Sequence, residues 1–412
     1  MRILRARRCG ASAADGARLR DPGSRARVAA VTAIGAPLTS RPIAAGPDNS
    51  ARRRLLVTGG AGFVGSNVAI ALAQRHSDWE LTAFDNLHRR GSELNVPRLD
   101  QAGVGFVRGD VREPAELAAA PAPDVIIECS AEPSVLSGID GDSSYLVHTN
   151  LTGAYNCLEL ARKTGAALIF LSTSRVYPLA ALEGATLEET ATRFELAAEQ
   201  ATVGISAAGI AETVQLSGAR TLYGATKLAA ELLIEEFRAA FGVRAVIDRC
   251  GVIAGPWQMG KVDQGVFTHW MLSHHFGLPL DYIGFGGAGK QVRDLLHVDD
   301  LVDLIDEQAQ DPEGWDGCTF NVGGGRECSL SLLEATELCR RITGREVAIG
   351  SVAATRPGDV PVYVSDCRAL FERTAWRPRR GAERILTDIG EWVRREGDEL
   401  AEVLGIAGGA TR

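Results

Sequence analysis

The chain has 412 residues, 45% hydrophobic and 23% charged, the composition of a folded, water-soluble protein. Its net charge of −8 is uneven: residues 1–54 carry twelve arginines against three aspartates, which leaves −17 on the remainder. An acidic body argues against nucleic acid as a partner, and no apolar run approaches the roughly 18 residues of a membrane span.

Residues 1–52 are rich in Ala, Arg, Gly and Pro and lack sustained periodicity. They read as a disordered extension or as sequence read from an upstream start. The alternative is an arginine-rich targeting leader around "VAAVTAIGAPL" (28–38), an apolar stretch interrupted by Gly35 and Pro37. From residue 53 strand and helix signals alternate. "RRLLVTG" (53–59) is a short apolar run ending in glycine, and "GFVGSNVAIALAQRH" (62–76) has helical periodicity. "WELTAFD" (79–85), "VGFVRGD" (104–110), "DVIIECS" (124–130) and "ALIFLSTS" (167–174) continue as buried strands, with helices expected at 142–163 and 220–241. That order predicts an α/β fold: a Rossmann-type, doubly wound parallel sheet over 53–250. Residues 251–412, with helices near 264–277, 299–309, 329–343 and 382–403, predict a smaller C-terminal substrate-binding lobe interleaved with the sheet. The Ala-rich stretch 178–218 is expected as a loop with short helical turns over the substrate cleft.

The first strand leads into "TGGAGFVGSN" (58–67), with glycines at 59, 62 and 65. Such spacing permits a tight turn, close approach of backbone to a pyrophosphate, and a helix N-terminus aimed at the phosphates. Asp85 ends the next strand, where a carboxylate accepts the adenosine ribose hydroxyls and favours NAD over NADP; Arg89 and Arg90 follow it and weaken that preference. Asp110 ends the third strand, within reach of the adenine. Tyr223 and Lys227, four apart, share one helix face. An ammonium beside a phenol lowers its pKa and makes it a general base for a sugar hydroxyl. Only four lysines stand among forty arginines, so one kept beside a tyrosine points to chemistry that guanidinium does poorly.

Taken together, the glycine loop, "FDNLHRRGSELN" (84–95), "STSRVYP" (172–178), Tyr223-Gly-Ala-Thr-Lys227, "GKQVRDLLHVDD" (289–300) and "TRPGD" (355–359) resemble the extended short-chain dehydrogenases/reductases of the nucleotide-sugar epimerase/dehydratase group, over roughly 53–395. The resemblance implies NAD as cofactor, held along Gly59, Gly62, Phe63, Val64, Gly65, Asp85, Asn86, Asp110, Val111, Ser130, Ala131, Tyr223, Lys227 and Cys250. It implies Thr173, Tyr223 and Lys227 as the catalytic residues. Ser172, Gln258, Lys261, Gln264, Arg293 and Arg356 are the expected contacts to a nucleotide-sugar substrate, the two arginines gripping its phosphates. The other role for Arg293 is a salt bridge to Asp294 or Asp299.

Dehydratases of this family carry Asp-Glu after the threonine, and decarboxylating relatives keep the glutamate; Ser174 and Arg175 stand there instead. That departure points to hydride removal and return. The asparagine usual in C4-epimerases is replaced by Val252 in "RCGVIAGPWQ". "GPWQMGKVDQG" (255–265) and the 84–95 loop are instead similar to 2-epimerases of CDP-linked sugars. A 4-epimerase or reductase of the family is the alternative, and a non-catalytic NAD sensor a more distant one. No metal site is expected: His269, His274 and His275 lack carboxylate partners at ligand spacing, and the eight cysteines form no C-x-x-C pair. Reduced thiols agree with a cytoplasmic enzyme, and His297 is expected to support Arg293. Family members pair two long helices between subunits. Here a homodimer is expected through Ala154, Leu158 and Ala161 with Leu228, Leu232 and Phe237.

Overall fold

The computed structural model describes residues 52–139, 141–260 and 264–406, so the extension up to residue 51 lies outside the described residues. Seven strands form the central sheet: β1 Arg53–Thr58, β2 Trp79–Asp85, β3 Gly105–Arg108, β4 Val125–Glu128, β5 Ala167–Thr173, β6 Ala245–Cys250 and β7 Thr319–Val322. Their order is β7-β6-β5-β4-β1-β2-β3, and every pair is parallel. A parallel sheet is covered on both faces, which is why its strands are near-continuous apolar runs; all seven residues of β5 are buried.

Alternate residues of each strand serve opposite faces. Leu55, Val57 and Ile127 pack with Val68 and Leu72 of helix α1 (Phe63–Arg75) and with Leu301 and Ile305 of the helix Val298–Gln310. Leu56, Ile126 and Phe170 pack with Leu158 and Ala161 of helix α2 (Gly153–Thr164) and with Ala230 and Ile234 of helix α3 (Leu222–Phe241). Each of the Val, Leu, Ile and Phe side chains among them contributes roughly 1.5–3 kcal/mol on burial. The chain runs outward from β1 through β2 to β3, then returns as β4 on the other side of β1. A crevice opens at the carboxyl ends of the strands at such a reversal.

The helix expected at 142–163 is built as Ser144–Val147, a π-helical turn His148–Thr152, and α2. The wide turn aims Asn150 inward, where its amide donates to the Glu132 carbonyl (3.1 Å) and to Thr226 Oγ1 of α3 (3.2 Å) and accepts from the Glu132 N–H (2.8 Å). It thereby ties the loop after β4 to α3, in keeping with the tendency of π-turns to occur at functional sites.

Two expectations need correction. Ala154, Leu158, Ala161 and Phe237 form no exposed stripe: they are buried in the chain's own core, because the apolar face of each helix packs on the sheet. The large apolar side chains that α2 and α3 do expose are Tyr155, Leu222, Leu232 and Phe241. The stretch 178–218 holds one short helix, Leu179–Glu183, and two small hairpins, Leu187–Glu189 with Phe194–Leu196 and Ile205–Ser206 with Gly209–Ile210. Its apolar residues Leu182, Leu196, Ile205 and Ile210 form a separate cluster with Val360, Val362 and Val364, away from the cleft.

Past β6, a second sheet joins Val252–Ala254, Val292–His297, Ser329–Ser331 and Val362–Tyr363. The helices Val266–Phe276, Leu332–Thr343 and Ala382–Arg395 enclose a core around Trp270, Met271, Ile385, Ile389 and Trp392. The last expected helix is broken at Glu396 and resumes as Gly397–Leu404.

Candidate active site

A cleft of about 960 Å³ lies at the carboxyl ends of the strands. At one end the turn after β1 makes a cradle. Gly59 sits at φ 63°, and a Cβ there would meet the Cys129 carbonyl and the Ser130 nitrogen at 2.9 Å; one on Gly65 would lie 2.2 Å from the Gly59 oxygen. Gly62 caps α1 without a side chain, so the first-turn N–H groups of Phe63, Val64 and Gly65 border the cleft, with the positive end of the helix dipole behind them. Ser130 Oγ is buried here without a partner. Asp85 accepts the N–H groups of Ala61 (3.1 Å) and Leu87 (2.8 Å), while burial pushes its carboxyl above the ordinary value. Backbone donors, an acceptor at the end of β2 and an orphaned hydroxyl fit the pyrophosphate and ribose of a dinucleotide.

Asn86, Val111, Ala131 and Cys250 also line the cleft. Asp110 does not: Arg112 grips it through Nε (2.9 Å) and a terminal nitrogen (2.7 Å), Asn86 donates at 2.9 Å, and its carboxyl falls to about 2. Arg89 turns from Asp85 toward the Met259 carbonyl (3.0 Å) and Gln264, joining the loop after β2 to the segment past residue 255.

Mid-cleft, β5 and α3 place Thr173 and Tyr223 together. Thr221 caps α3 through the Gly224 N–H, fixing the start of that helix. The Thr173 hydroxyl accepts the Arg175 N–H (3.2 Å) and meets the Tyr223 phenol. Burial pushes the phenol up, while Lys227, Thr173 and Arg175 pull it down. The net displacement is upward, contrary to the sequence expectation of a lowered phenol: desolvation outweighs the cations in the protein alone. Lys227 is 2% exposed; its ammonium lies 3.4 Å from Glu128 and 4.0 Å from the centre of the Phe170 ring. Ser172 borders the cleft but turns its hydroxyl inward to Glu231, which Arg249 grips at 2.7 Å.

At the far end, Arg293 and Arg356 line the cleft. Arg293 pairs with Asp359 of the "TRPGD" stretch, not with Asp294 or Asp299, and donates to the Val292 and Val360 carbonyls at 2.7 Å. His297 is likewise not at Arg293: it caps the Val298–Gln310 helix through the Asp299 N–H (3.0 Å) and approaches Asp388 (3.3 Å). Gln258 borders the cleft, tied to Ile253 (2.9 Å) and Thr268 (2.6 Å); Gln264 borders it as well, and Lys261 lies outside the described residues. Among the described residues no group of three or more His, Cys, Asp or Glu is arranged to hold a metal ion.

Sequence reasoning assigned no site contact to three residues, although Arg175 stood out there as a departure from the dehydratase pattern. Arg175 borders the cleft beside Tyr223, with its pKa lowered to about 10 by burial and by Arg293, and donates to the Gly358 carbonyl at 3.0 Å. Trp257 lines the cleft at φ 72°, a strained conformation for a bulky residue, with the Arg98 guanidinium 4.0 Å over its ring. Glu128 is the buried partner of Lys227; an acid closing an otherwise apolar strand was the signal available for it.

A dinucleotide cradle opening onto a Thr–Tyr–Lys trio on a seven-stranded parallel sheet defines an extended short-chain dehydrogenase/reductase. Residues 55–323 match the NAD dependent epimerase/dehydratase family, and the chain belongs to that family. It is similar to the CDP-paratose 2-epimerase of Salmonella typhi, at 30% identity over 82% of this chain and 99% of that protein. It is also 30% identical to a dTDP-glucose 4,6-dehydratase of Mycolicibacterium smegmatis, over 83% of this chain and 93% of the relative. Among solved structures, the UDP-glucose 4-epimerase of Thermus thermophilus in complex with NAD superposes with a TM-score of 0.66, at 27% identity over 83% and 99% of the two chains. The family uses NAD.

Proposed function

We propose that this enzyme inverts C2 of a CDP-linked sugar, converting CDP-paratose to CDP-tyvelose. The observation that carries the reading is Tyr223 on Thr173 and beside Lys227, with a guanidinium, Arg175, where elimination needs an acid. The likeness to CDP-paratose 2-epimerase along nearly the whole of that protein supports the substrate.

Bound in the glycine cradle, NAD supplies a hydride acceptor that can return what it took. Tyr223 withdraws the proton of the C2 hydroxyl, and Thr173 holds that oxygen in line with the phenol. Because burial raises the phenol, the positive charges of Lys227 and Arg175 are needed to bring it into range as a base. With NAD held in the cradle, C2 would become a ketone and the sugar would turn over before hydride came back to the opposite face, while Tyr223 returns the proton. Arg293 and Arg356 hold the diphosphate throughout, so that only the sugar turns; Asp359 and two carbonyls fix the Arg293 fork for this.

The equal identity to a dTDP-glucose 4,6-dehydratase favours elimination as a second reading. Arg175 and Ser174 weigh against it, since neither gives the acid and base that loss of water requires. Incubation of the purified protein with CDP-paratose, followed by chromatography, tests the reading. CDP-tyvelose is expected from the wild type, and Tyr223→Phe should retain NAD with turnover lowered at least roughly a hundredfold. No conversion of CDP-paratose, with another nucleotide sugar converted, would reject the substrate.

The homodimer belongs to the same proposal, through Tyr155, Leu222, Leu232 and Phe241 on α2 and α3. So does a cytoplasmic location, supported by seven free thiols among the described residues. No helix of the described residues is long and apolar enough to cross a membrane.

A further inference from the structure

We propose that Glu128 is the positioning residue of the Tyr223–Lys227 pair: its carboxylate fixes the Lys227 ammonium in place and keeps it protonated. Both side chains are almost completely buried, at 1% and 2% exposure, with Oε2 3.4 Å from Nζ. Glu128 closes β4, a strand held between β1 and β5 in register with Thr58 and Phe170, so its backbone is rigid on both sides. The Ser130 N–H also bonds the carboxylate, and the Phe170 ring covers the ammonium at 4.0 Å. The ammonium thus sits between an anion and an aromatic face, with little freedom to move.

A buried ammonium without a counter-charge sheds its proton. Glu231, one turn further along α3, is paired with Arg249 at 2.7 Å, and the remaining titratable groups facing Lys227 supply no negative charge. They are the thiols of Cys129 after β4, Cys157 on α2 and Cys250 on β6, and the phenol of Tyr223 on its own helix; burial pushes all four up, so they stay neutral. Arg175, near Tyr223, adds only a positive charge. Among the described residues Glu128 is therefore the anion that keeps Lys227 cationic, and through Lys227 it sets the basicity of Tyr223. It rises above its own ordinary value through burial, with Lys227 pulling it back, as expected for an ion pair in a dry site.

The inference rests on Tyr223 and Lys227 being the reacting pair, but its test needs no turnover. The chain has four lysines, at 163, 227, 261 and 290, so protein grown with lysine labelled with carbon-13 at Cε gives four signals, and Lys227→Arg assigns the one that matters. The Lys227 signal of the NAD-loaded wild type gives the reference midpoint. In Glu128→Gln its midpoint should fall by at least one pH unit, and kcat at pH 7 should drop at least roughly tenfold with KM little changed. Should the Gln variant not fold, Glu128→Asp, which retracts the charge by one methylene, should lower the midpoint in the same direction. The same Lys227 midpoint in variant and wild type overturns the inference, whatever the activity. Undiminished turnover in Tyr223→Phe would instead reject the reading of the reacting pair, and leave the titration result standing.

Discussion

Tyr223 is poorly placed to be a base by burial alone, and the cations around it decide its usefulness. Lys227→Arg keeps a positive charge but puts a larger, planar group into a pocket closed by Glu128 and Phe170. Displacing the charge leaves the phenol higher, and each pH unit of that rise is worth about 1.4 kcal/mol. Turnover at neutral pH is predicted to fall at least roughly tenfold and to recover in part as pH rises, since the deprotonated phenol is the active form. A pH–rate profile measures this; one that overlays the wild type would remove Lys227 from the chemistry. At this scale the closeness of Tyr223 and Lys227 was legible in the sequence, because a four-residue spacing on a helix fixes a shared face. Glu128 was not. It meets Lys227 across 99 positions of chain, a closeness set by strand order that no local pattern records.

Among the elements, β6 carries an acid at a cost. Asp248 is fully buried, Gln308 donates to one of its oxygens at 3.0 Å, and the other has no partner. Burial raises its carboxyl from the ordinary value to about 7. The folded protein then holds this proton more tightly than the unfolded chain. The contribution to stability is therefore fully present below about pH 4, and it is lost as pH rises toward 7. The gap spans about three pH units, each worth ~1.4 kcal/mol, so the carboxylate burdens the fold at pH 8. Asp248→Asn should flatten the fall in Tm between pH 5 and pH 8, and an unchanged slope in thermal melts would contradict it. The strands were readable as short continuous apolar runs and the major helices by their 3.6-residue period, both of which report burial directly. The hairpins in 178–218 were not, since runs of two or three residues between alanines carry too little pattern. The π-turn at 148–152 was equally silent, being visible only in where Asn150 points.

At the scale of the molecule, Tyr155, Leu232 and Phe241 each leave two-fifths or more of their surface exposed on the two long helices. Light scattering at micromolar concentration should give twice the chain mass, and Leu232→Asp with Phe241→Asp should return it to the monomer. A wild-type monomer would end the homodimer proposal. Of the residues first expected there Leu232 is exposed; the others turn inward because small and apolar residues at helical spacing are needed equally in the protein's own core. The substrate is the least legible property, since specificity lives in cleft-lining side chains such as Trp257 and Gln258, which do not shape the fold.

The central claim is that hydride leaves C2 and returns to the same carbon while Tyr223 carries only the proton. CDP-paratose bearing deuterium at C2, incubated with the NAD-loaded enzyme in ordinary water, tests it in one mass spectrum. CDP-tyvelose that keeps its deuterium is the predicted product; CDP-tyvelose carrying solvent hydrogen at C2, or a product lighter by one water, would contradict the account.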